Sequence, residues 1–193
     1  MNKLLILLTA AVFIACSHPT YKNPHVLFNT DYGEVEVELY PDKAPKTVAA
    51  FLLYVDSGYY RNSSFYRVLS NENVPSEYNS GLVQGGIFKT NSNLLVKIPG
   101  IGHESTKQTG LSHLSGAISL ARTTPGTACT EFFICVGDQP QFDSNGSDGS
   151  DSLGFAAFGK VFKGMDVIRK IQNNPSHGES FDRDVKITSI ERL

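Results

Sequence analysis

The chain has 193 residues, a formal charge of −2 and no basic run, which argues against a nucleic-acid-binding protein. Hydrophobic residues make up 40% of the chain and charged residues 19%, which excludes a disordered protein and allows one domain with a substantial core. With twelve Phe, eight Tyr and no Trp, that core is expected to be rich in aromatic rings.

The first residues have the proportions of a signal peptide. Lys3 precedes a nearly unbroken apolar run over residues 4–14, which is too short to span a bilayer. The run leads into Phe13-Ile14-Ala15-Cys16, which resembles a bacterial lipobox with Phe where Leu is usual. We predict a lipoprotein signal peptide at residues 1–15. The alternative is an ordinary secretory signal with an incidental cysteine.

On this interpretation Cys16 carries lipid, and residues 16–23 form a lipidated tether. Several acyl chains on one residue are sufficient for stable membrane anchoring. The protein would then be exported and anchored to a bacterial membrane. Ser17 stands where a retention Asp would follow the cysteine, which indicates the outer membrane, facing the periplasm, if the cell is Gram-negative.

Two further cysteines, Cys129 and Cys135, lie six residues apart. If they share one strand, their Cα atoms are about 20 Å apart, which is far beyond disulfide reach. A break in the strand would reopen that question. We expect two free thiols, one of them buried.

A hairpin is predicted first along the chain, since residues 26–30 and 34–39 flank the turn Asp31-Tyr32-Gly33. The second arm alternates strictly, with Val35, Val37 and Leu39 on the core face and glutamates on the other. It is therefore expected to be a half-buried strand.

Two helices follow from apolar periodicity. Pro45 begins the first and Gly58 ends it, and its apolar residues at helical spacing are Val48, Phe51, Leu52 and Val55. A shorter helix is predicted over residues 165–172. Short strand-like runs without βαβ alternation occupy the rest of residues 24–193, which favours a closed or nearly closed antiparallel barrel.

Two polar segments, residues 70–80 and 143–151, are expected to be loops. The second is rich in Asp, Gly and Ser, but it has neither the EF-hand pattern nor the glycine-rich calcium nonapeptide. Whether it binds calcium stays open. His103 and His113 are expected to be structural or solvent-facing, and no metal ligands are assigned.

Side-chain parity, the alternation of successive residues between the two faces of a strand, points to a binding face on two strands. Residues 130–137 place Phe132, Ile134 and Val136 on one wholly apolar face, leaving Phe133 on the other beside a carboxylate. In residues 64–69, the same parity puts Phe65 on the side of Arg67. We therefore expect an apolar patch framed by hydrogen-bonding groups, to which each strand contributes a ring and a charge.

Five segments in order resemble the cyclophilins over nearly all of residues 24–193. They are Phe65-Tyr66-Arg67-Val68, Val83-Gln84-Gly85-Gly86, Ile118-Ser119-Leu120-Ala121-Arg122, Glu131-Phe132-Phe133-Ile134-Cys135, and Phe158-Gly159-Lys160-Val161 before Gly164-Met165-Asp166-Val167-Ile168. The resemblance implies an eight-stranded closed antiparallel β-barrel capped by two α-helices. It also implies peptidyl-prolyl cis-trans isomerase activity in a groove outside the barrel.

The resemblance assigns roles to individual residues. Arg67 matches the catalytic arginine, Phe133 the floor of the proline pocket, and Gln84 the glutamine that orients the arginine and contacts the peptide. The other expected substrate contacts are Leu120, Ala121, Arg122, Glu131, Phe142 and Phe155. Rotation about an X-Pro bond breaks no bond, so no cofactor is expected. The implied partners are proline-containing polypeptides, and we expect a monomer.

The chain departs from the family pattern around the pocket. Glu131 replaces a usual Gln, and this carboxylate is expected either to pair with Arg67 or Arg122 or to compete with substrate. Gly81 stands where a phenylalanine is expected, after a segment about nine residues longer than in short cyclophilins. Phe142 and Phe155 replace a leucine and a histidine. Because of Gly81 and the longer segment before it, we predict a proline pocket that is shallower or remodelled by the inserted segment.

Two alternatives to the enzyme remain. A proline-segment binding or chaperone-like module would keep the fold and lose catalysis, and Glu131 and Gly81 are the residues that favour it. A lipocalin-like barrel would bind a ligand inside, but it predicts an early Gly-x-Trp, and this chain has no Trp.

Overall fold

The computed structural model describes residues 21–70, 80–146 and 151–193. The predicted signal peptide, the proposed lipid site Cys16 and most of the tether lie outside the described residues. Much of the first predicted loop, residues 71–79, and residues 147–150 of the second also lie outside them.

Antiparallel pairing closes a sheet into a barrel. The strands are β1 His25–Thr30, β2 Gly33–Leu39, β3 Ser63–Leu69, β4 Gly81–Gly86, β5 Ala117–Leu120, β6 Phe132–Val136, β7 Ala156–Lys163, β8 Ser176–His177 and β9 Ser180–Arg192. Their order is β1-β2-β7-β5-β6-β4-β3-β9-β8, and β1 also pairs with β9. Eight strands thus form a closed ring, and the short β8 adds a hairpin to β9. The predicted eight-stranded closed barrel is confirmed.

Both predicted helices are present. They are α1 Pro45–Asp56, which packs against β7 and β9, and α4 Met165–Gln172, which packs against β2, β4 and β6. Two one-turn helices, α2 Ser92–Leu95 and α3 Thr106–Thr109, were not predicted, because four residues are too few to show helical periodicity. Within the described ranges, no helix is both long and apolar enough to cross a membrane.

Aromatic rings fill the inside of the barrel. Phe132 lies among four of them, with ring centroids 5.5 Å from Phe28, 6.1 Å from Phe51, 5.7 Å from Tyr60 and 5.9 Å from Phe65. Phe28, Phe51, Phe65 and Phe132 are fully buried. Because side chains occupy the interior, a ligand has to bind outside the barrel.

The first hairpin has the predicted alternation, with one addition. Val35, Val37 and Leu39 are fully buried in the core, as expected. Glu36 faces the other way but is also buried, because its carboxylate contacts His25 Nδ1 at 2.7 Å and Lys163 Nζ at 3.1 Å. The Tyr21 ring stacks on His25 with centroids 3.7 Å apart. The end of the N-terminal segment therefore packs on the outer face of this hairpin.

Replacing the central ring of the core tests this packing. We expect Phe132→Ala to lower the free energy of unfolding by about 3–5 kcal/mol, because four rings lose their shared contact. Leu53→Ala is the control, since Leu53 is 61% exposed on α1, and a change within about 0.5 kcal/mol is expected there. Urea unfolding followed by circular dichroism measures both, and equal losses would contradict the assignment of the core.

Candidate active site

A β-bulge shapes the part of β3 that carries the candidate catalytic arginine. Phe65 pairs with Gly85 and Arg67 pairs with Gln84, so Tyr66 is an extra residue with no partner of its own on β4. The parity expected for this strand is therefore wrong at Phe65, which is fully buried in the core and not on the binding face. Tyr66 and Arg67 instead both direct polar atoms towards Gln84.

The parity expected for β6 is confirmed. Phe132, Ile134 and Val136 lie in the barrel core, whereas Phe133 and Cys135 lie in a second apolar cluster on the outer face. The second cluster is completed by Leu82, Ala117 and Phe142, with Leu69, Ala121 and Phe155 packed against it. Most of this cluster, apart from Ala117 and Cys135, forms the apolar floor of an open groove of about 670 Å³.

Phe133 lies at the bottom of this groove among other rings. Its centroid is 5.4 Å from both Phe142 and Phe155, in edge-to-face geometry, and 5.7 Å from the stacked ring of His113. Only 2% of Phe133 is exposed. The two phenylalanines that replace the family's leucine and histidine thus form apolar walls around the pocket.

His113 supports Phe133 from beneath and is structural, in agreement with the sequence analysis. It is 1% exposed, with Nδ1 2.7 Å from Asp143 Oδ1 and Nε2 3.0 Å from Ser119 Oγ. Burial lowers the pKa of His113, although the hydrogen bond and charge of Asp143 oppose that effect. A neutral imidazole that accepts from Ser119 and donates to Asp143 satisfies all three groups.

Arg67 lies at the rim of the groove, where two residues hold its guanidinium. Nη1 donates to Gln84 Oε1 at 2.7 Å, while Nε and Nη2 lie 2.8 and 2.7 Å from Glu179 Oε2. These contacts with described residues use three of the five N–H groups of a guanidinium. The Arg67 side chain is 36% exposed, so a bound peptide can reach it.

Glu131 pairs with neither Arg67 nor Arg122, so both of the pairings considered for it are wrong. Its Oε2 accepts from the Tyr66 hydroxyl at 2.6 Å, and its Oε1 accepts from the backbone N–H groups of Ile87 and Phe88 at 2.8 and 3.1 Å. Burial raises the pKa of Glu131, and these hydrogen bonds act in the opposite direction.

Arg122 holds the wall of the groove. Its Nη1 and Nη2 lie 2.7 and 2.9 Å from the two carboxylate oxygens of Asp151, and its guanidinium lies 5.3 Å from the centroid of Phe155. The Arg122 side chain is 5% exposed. Asp143 and Asp151, the ends of the acidic segment considered for calcium, thus bind His113 and Arg122.

Gly81 explains part of the remodelling between β3 and β4. Its φ is +145°, and a Cβ atom there would lie 2.0 Å from the carbonyl oxygen of Leu69. The phenylalanine expected from the family pattern cannot occupy this backbone. Leu69 and Leu82 line that side of the groove instead.

Most predicted site residues meet in this one groove. They are Arg67, Gln84, Ala121, Arg122, Glu131, Phe133, Phe142 and Phe155. Leu120 is the exception, because its side chain is 1% exposed in the barrel core, opposite Phe132 on β6. Its side chain does not line the groove, and the substrate contact expected for Leu120 stays a prediction.

Several groove residues were missed by the sequence analysis. They are Leu69, Leu82, Phe88, Leu95, Thr123, Thr127 and Cys129, together with Glu179, which contacts Arg67 from outside the groove. Most lie on irregular or one-turn segments, where no periodicity marks a side chain as facing the site. In the described parts of the chain, no group of three or more His, Cys, Asp or Glu side chains is arranged to hold a metal.

The site defines a class of protein before any comparison is made. A closed barrel filled with rings carries an apolar, ring-lined groove on its outside, with a fixed cation at the rim. This geometry suits a protein that binds a ligand with an apolar part on the outside of the barrel, beside a positive charge. It rules out the alternative of a lipocalin-like barrel with an internal ligand.

Comparison with known proteins identifies the family. The sequence model of cyclophilin type peptidyl-prolyl cis-trans isomerase/CLD matches residues 25–192. A peptidyl-prolyl cis-trans isomerase of Acinetobacter baylyi is 35% identical over 175 residues, which cover 88% of this chain and 85% of the relative. Peptidyl-prolyl cis-trans isomerase B of Escherichia coli is 32% identical over 168 residues, covering 83% and 91%. The chain belongs to the cyclophilin-type peptidyl-prolyl cis-trans isomerases.

Solved structures agree with the fold. A cyclophilin type isomerase from Cryptosporidium parvum covers 89% of this chain and 98% of its own, with a TM-score of 0.69 and 22% identity. A second structure of that protein, in the presence of the dipeptide Ala-Pro, has a TM-score of 0.68, 23% identity, and coverages of 88% and 98%.

The two described cysteines are both free, as expected, and they test the position of the groove. Cys129 lines the groove and is partly exposed, whereas Cys135 is fully buried. Burial, with the nearby charges of Asp143 and Asp138, raises the pKa of the Cys135 thiol to about 12. The thiolate is the reactive form, so Cys135 is expected to be inert in the folded protein.

We therefore expect iodoacetamide at pH 8 to alkylate Cys129 and to leave Cys135 unmodified until urea is added. Peptide mapping by mass spectrometry measures both sites. A proline-containing peptide at saturation should slow the reaction at Cys129 only. Equal labelling of the two thiols in the native protein would contradict the placement of Cys129 in the groove and Cys135 in the second cluster.

Proposed function

We propose that the groove isomerises X-Pro bonds of exported polypeptides, with Arg67 stabilising the twisted amide and Phe133 flooring the proline pocket. The observation that carries this proposal is the fixed guanidinium of Arg67 at the rim of a groove whose bottom is Phe133. A proline ring in the apolar pocket would bring its imide nitrogen towards the rim. The Ala-Pro dipeptide used with the Cryptosporidium isomerase supports a proline-containing ligand.

The chemistry requires only a donor in the correct place. Planar X-Pro bonds are held by amide resonance, and the barrier to rotation is about 20 kcal/mol. In the twisted transition state the proline nitrogen regains a lone pair, which accepts a hydrogen bond that the planar ground state does not offer. A guanidinium that donates there binds the transition state more tightly than the substrate, and each 1.4 kcal/mol of that difference is about tenfold in rate.

The surroundings of Arg67 fit this role. Gln84 and Glu179 hold the guanidinium from two sides, so its donors are oriented before a peptide arrives. Its charge does not change across physiological pH, and its N–H groups form a rigid fork. The apolar walls Phe142 and Phe155 exclude water from the ring of the substrate.

Replacing Arg67 tests the proposal directly. NMR exchange spectroscopy of an Ala-Pro-Phe peptide gives both the isomerisation rate and binding. We expect Arg67→Ala to lower kcat by about a hundredfold, the scale of losing a positioned donor in a transition state. Arg67→Lys should recover only part of the activity, because a lysine keeps the charge without the fork.

Arg61→Ala is the matched control, since Arg61 is exposed and does not line the groove. We expect its exchange rate to equal that of the unmodified chain. Peptide chemical-shift changes without accelerated exchange in the unmodified chain would replace the enzyme with the binding or chaperone-like module. Unchanged kcat in Arg67→Ala would remove the assigned role of the arginine.

We further propose that Cys16 is lipidated and anchors the enzyme to a bacterial membrane, where it meets exported substrates. The support is the apolar run over residues 4–14 and the lipobox-like sequence that follows it. In a bacterial host fed labelled palmitate, Cys16→Ser should lose the label and leave the membrane fraction. Cys129→Ser is the control and should keep the label. Label that persists in Cys16→Ser would contradict lipidation at this residue.

A further inference from the structure

We propose that Glu131 is a positioning residue for isomerisation, which acts through Tyr66 and Gln84 to orient the guanidinium of Arg67. This inference rests on the catalytic role proposed above for Arg67. Glu131 itself would not touch the reacting bond. Its function would be to set the direction of a hydrogen-bond chain that ends at the arginine.

Three consecutive hydrogen bonds link Glu131 to Arg67. The Tyr66 hydroxyl donates to Glu131 Oε2 at 2.6 Å, and Gln84 Nε2 donates to the Tyr66 oxygen at 2.9 Å. Arg67 Nη1 then donates to Gln84 Oε1 at 2.7 Å. The bulge in β3 makes this possible, because it brings Tyr66 and Arg67 to the same glutamine.

The two end groups, Glu131 and Arg67, fix the direction in which every hydrogen bond between them is donated. A carboxylate only accepts hydrogen bonds and a guanidinium only donates them, whereas a hydroxyl can rotate and an amide can flip. With Glu131 accepting, Tyr66 has to donate to it and accept from Gln84. The Gln84 amide is then held with its carbonyl oxygen towards Arg67, which is the orientation that the arginine needs.

A carboxylate is required at residue 131 because both of its oxygens face donors. Oε1 accepts from the N–H groups of Ile87 and Phe88, and Oε2 accepts from Tyr66. An amide has one oxygen and one NH₂ group. If its oxygen served the backbone, its NH₂ would face Tyr66, which already accepts from Gln84, and the tyrosine proton would lose its acceptor.

The backbone makes room for this carboxylate. Gly86 has a φ of +147°, and a Cβ atom there would lie 2.4–2.5 Å from the carboxyl group of Glu131. Tyr66 is 8% exposed, so water does not readily replace its partner when that partner is changed. The backbone at Gly86 therefore accommodates the hydrogen-bonded pair of Glu131 and Tyr66, although the resemblance predicts glutamine at residue 131.

The test is a double-mutant cycle with Glu131→Gln, Tyr66→Phe and the two combined, followed by NMR exchange on the Ala-Pro-Phe peptide. We expect Glu131→Gln to lower kcat about fivefold to tenfold, the scale of one disrupted buried hydrogen-bond network. The dissociation constant of the peptide should change less than twofold, since the apolar side chains Phe133, Phe142 and Phe155 of the groove are unchanged. Glu34→Gln is the control and should leave kcat unchanged. Glu34 is exposed on β2, which is not adjacent to β3, β4 or β6 in the sheet.

The combined variant distinguishes positioning from independent effects. Without the tyrosine hydroxyl the introduced amide no longer faces a second donor, so Glu131→Gln should cost little further activity in the Tyr66→Phe background. Three results would overturn the inference. The first is that the losses of kcat in the two single variants multiply in the combined variant. The others are an unchanged kcat in Glu131→Gln, and weaker peptide binding that accounts for the whole loss of activity. If Glu131→Gln does not fold, Tyr66→Phe decides the matter alone, with lowered kcat and unchanged binding expected.

Arg67→Ala separates this inference from the proposed function. If Arg67→Ala loses activity but Glu131→Gln and Tyr66→Phe do not, only the positioning role fails. If Arg67→Ala keeps full activity, the proposed role of the arginine fails, and the positioning role fails with it.

Discussion

Closure of the sheet is the constraint on which the rest of the structure depends. Once β1 pairs with β9, the inner faces of the eight strands enclose a space that large aromatic rings fill, with Phe132 among four others. No room for a ligand remains inside, so the functional surface has to be built on the outer face of β3, β4, β5 and β6. The strict alternation of β6 divides its residues between these two tasks, with Phe132 inside and Phe133 outside.

The bulge at Tyr66 is the second decisive feature, because it changes what β3 presents to the groove. Regular pleating would put Tyr66 on the face opposite Arg67. The extra residue lets both side chains reach Gln84, while Phe65 remains in the core. A buried polar chain from Glu131 can then reach the guanidinium, and the exposed carboxylate of Glu179 holds its other edge.

The departures from the cyclophilin pattern are consistent with one another. Gly81 excludes the usual phenylalanine by its backbone conformation, and leucines line that side of the pocket. Phe142 and Phe155 restore aromatic surface from the other side, where Arg122 and Asp151 hold the segment that carries Phe155. The groove is remodelled but keeps an apolar pocket beside a fixed donor, which is the arrangement that the proposed mechanism requires.

The sequence by itself determined the closed barrel, both long helices, the outward position of Phe133 and the family, because periodicity and ordered motifs depend only on spacing along the chain. It could not locate Phe65 in the core or bring Tyr66 to Gln84, since a bulge without glycine leaves no mark in the spacing of β3. Nor could it pair Glu131 with Tyr66 or Glu179 with Arg67, which are 65 and 112 residues apart. Only tertiary structure decided those partners, because closure of the barrel brings distant strands and turns together at one groove.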